Sequence, residues 1–70
     1  MEIFKITEGE EFIELNNLLK RLSWVASGGE AKMAIKGGKV IVNDVVETRV
    51  RKKMRSGDTF SFDSEVGKIE

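Results

Sequence analysis

The stretch Ser27–Asp44, SGGEAKMAIKGGKVIVND, decides the fold of this chain. Ser27 stands three residues before Glu30, the spacing of a capping box, in which a hydroxyl and a carboxylate satisfy free amides at the start of a helix. A short helix over roughly Gly28–Lys36 follows, with Ala31, Ala34 and Ile35 on one face. Gly37 and Gly38 end it, one of them in the left-handed conformation of a C-cap. The next residues, KVIVNDVVET, predict a β-hairpin. β-Branched residues alternate on both sides of Asn43-Asp44, two residue types that tolerate positive φ in a tight turn.

The same stretch is rich in lysine. Lys32 and Lys36 lie one helical turn apart and project together, which costs an isolated helix roughly 0.2–0.5 kcal/mol. An anionic ligand would remove that cost. Gly28 and Gly29 leave the helix start bare of side chains; this admits an anion close to the backbone amides, and it equally lets two helices pack tightly.

Upstream, EIFKI (Glu2–Ile6) has the alternation of a short strand. In TEGE, Thr7 and Glu10 again have capping-box spacing, which predicts a first helix from about Glu8 to Leu22. On that helix Phe12, Leu15, Leu18, Leu19 and Leu22 share one arc, while Glu14, Asn16, Asn17, Lys20 and Arg21 share the other. Ile13 falls beside the apolar stripe, within reach of the N-terminal strand. Lys20 and Arg21 complement the macrodipole in the last turn and are also candidates for an anionic partner. Trp24, in the linker SWVASGG, either packs over the helix junction or offers a stacking platform.

Downstream, RVRKKMR places Arg49, Arg51, Lys53 and Arg55 at every second position. An extended backbone aims these four to one side and Val50 and Met54 to the other. A turn inside the segment, which the Lys52-Lys53 pair permits, would break the stripe. Ser56–Asp58 (SGD) reads as a turn, TFSF as a strand with Phe60 and Phe62 inward, and Gly67–Glu70 as a last short strand. The succession of helices and strands makes an α+β fold.

At 70 residues the chain is one domain, residues 1–70. At this size a hydrophobic core supplies only roughly 3–5 kcal/mol. There is no cysteine and no histidine, so disulfides, zinc sites built on them and imidazole bases are ruled out. No apolar run approaches the ~20 residues of a bilayer span, and the acidic N-terminus lacks the build of a signal peptide. The expectation is a cytoplasmic protein with no membrane contact. The formal charge is zero, yet the charges are segregated. Five acids face one base over Met1–Glu14, ten bases face three acids over Lys20–Arg55, and four acids face one base over Asp58–Glu70. A basic middle of this kind points to a polyanionic partner, or else forms a solvated surface.

In this order and spacing the features resemble the S4-type RNA-binding domain, named after a small-subunit ribosomal protein and also called the αL motif. The family pattern runs from a serine through an alanine followed by a base, an apolar residue and a glycine to valine-x-valine-asparagine and a later glycine-aspartate. Ser27, Ala31 with Lys32, Ile35, and Gly37 or Gly38 hold the first of these places. Val40, Val42, Asn43, Gly57 and Asp58 hold the rest. The similarity runs from about Leu18 to Phe62, and with its N-terminal strand and length the chain looks like the short, stand-alone, YbcJ-like bacterial members of the group. Two positions depart from the pattern. Gly28 stands where many members have an arginine that touches RNA, which either lowers affinity or shifts weight to the later basic segment. Asp44 replaces the hairpin glycine, a turn position that aspartate accepts.

The resemblance implies a two-helix αL motif packed against a small, mostly antiparallel β-sheet with an N-terminal strand. It also implies a non-catalytic module that binds structured RNA, ribosomal or transfer RNA, as a monomer without cofactor, metal or small-molecule substrate. The residues supply the means: Lys32, Lys36 and Lys39 on the second helix and its exit, with Arg49, Arg51, Lys53 and Arg55 beside them. Lys20, Arg21 and Ser27 complete the candidate RNA site. Phosphate neutralisation and backbone shape carry the recognition. With tyrosine absent and the four phenylalanines assigned to the core, base-by-base reading of a single strand is not expected. The alternative is a protein adaptor on a ribosome or an RNA enzyme, using the acidic N-terminal flank. An enzyme is not expected, because no base accompanies a serine and no Gly-rich phosphate loop is present.

Overall fold

The computed structural model spans Met1–Glu70. Its elements are β1 (Glu2–Phe4), β2 (Ile13–Glu14), α1 (Leu15–Arg21), α2 (Gly28–Lys36), β3 (Val40–Val42), β4 (Val45–Val46), β5 (Lys53–Met54), β6 (Thr59–Phe62) and β7 (Glu65–Ile69). Five strands form one sheet in the order β1-β7-β6-β3-β4, and β2 pairs with β5 in a separate ribbon. Every pairing is antiparallel except that of β1 with β7. The α+β class and the mostly antiparallel sheet with an N-terminal strand are therefore as read from the sequence.

Alternation buries one face of the sheet against the helices. Val40, Val42, Phe60 and Ile69 come from the sheet, Leu15, Leu18 and Leu19 from α1, and Ala31, Ala34 and Ile35 from α2. Each large aliphatic side chain hidden in this way contributes about 1.5–3 kcal/mol. Phe60 lies opposite Gly67 across the β6–β7 pair, and a Cβ at Gly67 would overlap its ring, so glycine is required there. The Trp24 ring packs 5.2 Å from Phe60, tilted by 47°, which gives Trp24 the role of sealing the helix junction rather than of a free platform.

α2 forms where its caps predict. Ser27 Oγ accepts from the Glu30 amide at 3.2 Å; no reciprocal bond from the Glu30 carboxylate completes the box. At the other end Gly38 has φ 76, its amide donates to Ile35 and the Lys39 amide donates to Ala34, the two bonds of a Schellman motif. α1 ends in the same motif, but its left-handed residue is Ser23 at φ 60, with Ser23 bonded to Lys20 and Trp24 bonded to Leu19. The β3–β4 hairpin turns through Asn43 at φ 50 and Asp44 at φ 68, as the residue types require.

One expectation is overturned and one open alternative is decided. The first helix does not begin at Glu8. The Glu10 amide closes a turn on the Thr7 carbonyl at 2.9 Å, Gly9 takes φ 91, and the chain then runs extended into β2. α1 starts at Leu15 without a side-chain cap. Its first amides find partners elsewhere: Leu15 donates to the Lys52 carbonyl at 2.8 Å and Asn16 to the Val50 carbonyl at 3.1 Å. A remote backbone thus takes the place of a side-chain cap at the start of α1. Ile13 pairs with Met54 in the β2–β5 ribbon and shares a groove wall with Phe4 of β1. Second, Arg49–Arg55 is not one extended stripe. The Lys52 amide donates to the Arg49 carbonyl at 3.2 Å, which closes a turn through Val50 and Arg51, and only Lys53 and Met54 are in a strand.

Candidate functional site

The turn concentrates the charge instead of scattering it. Arg49, Arg51, Lys52, Lys53 and Arg55 alone line an open hollow of about 480 Å³ with no hydrophobic residue in its wall. Four of these five are candidate site residues read from the alternating pattern. Lys52 is the one that pattern misses, because alternation sends it to the reverse side whereas the turn brings it back. Val50 and Met54 do face the core, Met54 completely buried.

The backbone under this hollow is tied down at several points. The carbonyls of Val50 and Lys52 accept from the first turn of α1, and β5 is zipped to β2 with Lys53 opposite Glu14. One Asp58 oxygen accepts from the Arg55 amide at 2.8 Å, and the other accepts from the Asn43 side-chain amide at 3.0 Å. Asn43 Oδ1 in turn accepts from the Thr59 amide at 3.0 Å. The asparagine of the hairpin and the aspartate of the Ser56–Asp58 turn, fifteen residues apart, are therefore one latch that holds the end of the basic turn. Gly57 makes the latch possible by taking φ 97.

Side chains are fixed as well. Arg49 Nε and Nη2 donate to the two Glu47 oxygens at 2.9 and 3.0 Å, and its backbone amide donates to the same carboxylate at 2.9 Å. The hydrogen bond from the Arg49 side chain lowers the Glu47 pKa to about 2, against the upward push of partial burial. The same contact raises the Arg49 pKa. Arg49 is thus a cation of the hollow already matched by a carboxylate, although its side chain remains 72% exposed. Lys53 Nζ lies 5.0 Å and Arg55 Cζ 5.6 Å from the centre of the Phe12 ring, within cation–π range.

Phe12 is therefore not the first core residue of a long helix. It precedes α1, stays half-buried and stands under two cations of the hollow. Its other neighbour is an open groove of about 750 Å³ beside β1 and α1, whose wall includes Lys20 and Arg21. Lys20 also reaches over the start of α2, with Nζ 3.8 Å from where a Gly28 Cβ would be. The remaining candidates lie elsewhere. Lys32, Lys36 and Lys39 are exposed on α2 and its exit and do not line the hollow, and Ser27 is engaged as the α2 cap. No group of acids able to hold a metal ion is present, and no helix is long and apolar enough to cross a membrane.

Comparison with known proteins matches residues 4–70 to the S4 domain. The protein YbcJ of Escherichia coli K12, provisionally named an RNA-binding protein, is 50% identical over 50 residues, which is 71% of each chain. A Shigella flexneri protein of the same name, described as uncharacterized, matches to the same extent. The solution structure of E. coli YbcJ superposes with a TM-score of 0.74 at 39% identity, over 99% of this chain and 86% of that one, and is described as revealing an αL motif involved in RNA binding.

Proposed function

Because this chain belongs to the S4 domain family, we propose that it is a non-catalytic module that binds structured RNA, ribosomal or transfer RNA, as a cytoplasmic monomer. The observation that carries this reading is the hollow lined by five cationic residues and by no hydrophobic one. Such a surface suits the closely spaced phosphates of a folded RNA backbone. One relative speaks for the same partner in two ways: E. coli YbcJ by its name, and its solution structure by the role given to its αL motif.

On this reading Arg51, Lys52, Lys53 and Arg55 make the principal phosphate contacts, with Arg49 joining once a phosphate displaces Glu47. Lys20 stands over the start of α2, beside the glycine that replaces the family's arginine, and supplies there the charge that Gly28 lacks. Arg21, Lys32, Lys36 and Lys39 extend the field without lining the hollow. The test is a filter-binding titration of a structured RNA against salt. Neutralisation of about five phosphates gives a slope of log affinity on log salt near −4, and affinity without salt dependence would rule the reading out.

A protein adaptor is the second reading, and one observation favours it. Val66, Ile41 and Val46 are exposed along one row of the sheet's outer face, joined through Ser61 in register. Polar replacement of that row would abolish an adaptor's contact and leave RNA affinity unchanged.

A further inference from the structure

Phe12 joins two surfaces of different chemistry. One is the hollow, from which Lys53 and Arg55 come within 5.0 and 5.6 Å of its ring centre. The other is the groove beside β1 and α1, whose wall is mixed: Phe4, Ile6 and Ile13 are apolar, and Glu10, Glu14 and Asn17 are polar. Cations border this groove at two places, through the partners of Phe12 and through Lys20 and Arg21 at the end of α1.

A phosphate is unsuited to a wall that carries two carboxylates. A nucleobase is well suited to it. Its faces need aromatic and aliphatic surface, which Phe12 and Ile13 present, and its edge needs acceptors for amino and imino hydrogens, which the carboxylates of Glu10 and Glu14 supply. The half-buried state of Phe12 also needs a reason, since the other three phenylalanines pack in or against the core and this one does not. A paired base of an A-form helix cannot reach such a groove, because its faces are stacked and its edge is in use.

Resting on the RNA reading above, we propose that the groove receives one unpaired nucleobase, from a bulge or an end, while the flanking phosphates lie on the hollow and on Lys20 and Arg21. The base is one with an exocyclic amino donor, guanine above all because its N1–H and N2 amino group lie side by side, rather than uracil, whose single N3–H lies between two carbonyl oxygens that the carboxylates repel. This adds a base contact to the expectation that backbone shape does most of the recognition, and the addition follows from the release of Phe12 from the core.

The test uses three RNA hairpins, fully paired, with one bulged guanosine and with one bulged uridine, bound to the whole protein at several salt concentrations. Stacking and edge contacts predict about tenfold tighter binding of the bulged-guanosine hairpin than of the paired one, with bulged uridine between them. Phe12→Leu, which keeps an apolar side chain but removes the ring beside Lys53 and Arg55, should weaken all three hairpins somewhat and reduce that ratio to about twofold or less. Intermolecular NOEs should join the Phe12 ring to base protons of the bulged hairpin and to none of the paired one. Equal affinity of the wild-type protein for all three hairpins, with steep salt dependence, overturns the nucleobase site and leaves the phosphate reading standing. Salt-independent binding, or none, overturns both.

Discussion

Two sets of cations in this chain are held in opposite ways. The lysines of α2 and its exit, Lys32, Lys36 and Lys39, are exposed ends of flexible stems. Arg49–Arg55 is a turn whose backbone is bonded to α1, to β2 and to Asp58, and two of whose side chains rest on an aromatic ring. Ordering a rotamer-rich side chain on binding costs about 0.5–1.5 kcal/mol. The turn has met part of that cost during folding, whereas the helix lysines meet it in full. Equal charge in the sequence is therefore unequal charge toward a ligand, and anchorage of the backbone sets the difference.

The broadest way to break this comparison is to neutralise each set. Replacing Arg51, Lys53 and Arg55 by glutamine should flatten the salt slope of RNA binding by about 2 to 3, and replacing Lys32, Lys36 and Lys39 should change it by less than about 1. Equal changes would place both sets on one footing. Next in size is Asp58→Ala, which sets charge against anchorage. It removes a negative charge near the hollow, so charge alone predicts tighter binding. Loss of the bonds to Arg55 and Asn43 predicts the reverse: stability lower by about 1–3 kcal/mol and RNA affinity lower by about threefold to tenfold. Calorimetry and anisotropy on the same samples decide the sign.

Glu47→Gln gives a smaller effect in the other direction. It frees the Arg49 guanidinium, and the slope should steepen by about 1. The contact also has a pH signature. The Glu47 pKa is depressed from 4.5 to about 2, so its contribution to stability is complete above pH 4.5 and is lost as pH falls toward 2. The stability difference between wild type and Glu47→Gln should shrink across that window and be constant above it. The smallest expected effect is Ser23→Gly. Ser23 holds φ 60 at the end of α1, where glycine is free of the side-chain penalty. The variant should be more stable by about 0.5–1 kcal/mol with RNA affinity unchanged, which separates stability at large from anchorage of the turn.

What was legible in the sequence was local. Ser27 with Glu30, the paired glycines and Asn43-Asp44 each carry their own instruction, and α2 and its hairpin form as those residues direct. The start of α1 was illegible because its amides are satisfied by Val50 and Lys52, more than thirty residues away, and no local spacing encodes a bond of that length. The alternation in RVRKKMR was misleading for the same reason. Pairing of Lys53 and Met54 with β2 forces the preceding residues to turn, which recruits Lys52 to the hollow and leaves Phe12 beneath it. The latch between Asn43 and Asp58 was visible only as two motif positions whose meeting requires the fold.

The central claim is that the anchored turn, and not the helix lysines, takes the phosphates. Nitrogen-detected NMR of the arginine guanidinium and lysine ammonium groups during titration with a structured RNA tests it most directly. The account predicts that Arg51, Lys52, Lys53 and Arg55 shift first and furthest, and that Lys32 and Lys36 move little. Large shifts confined to Lys32, Lys36 and Lys39, with the turn silent, would contradict it.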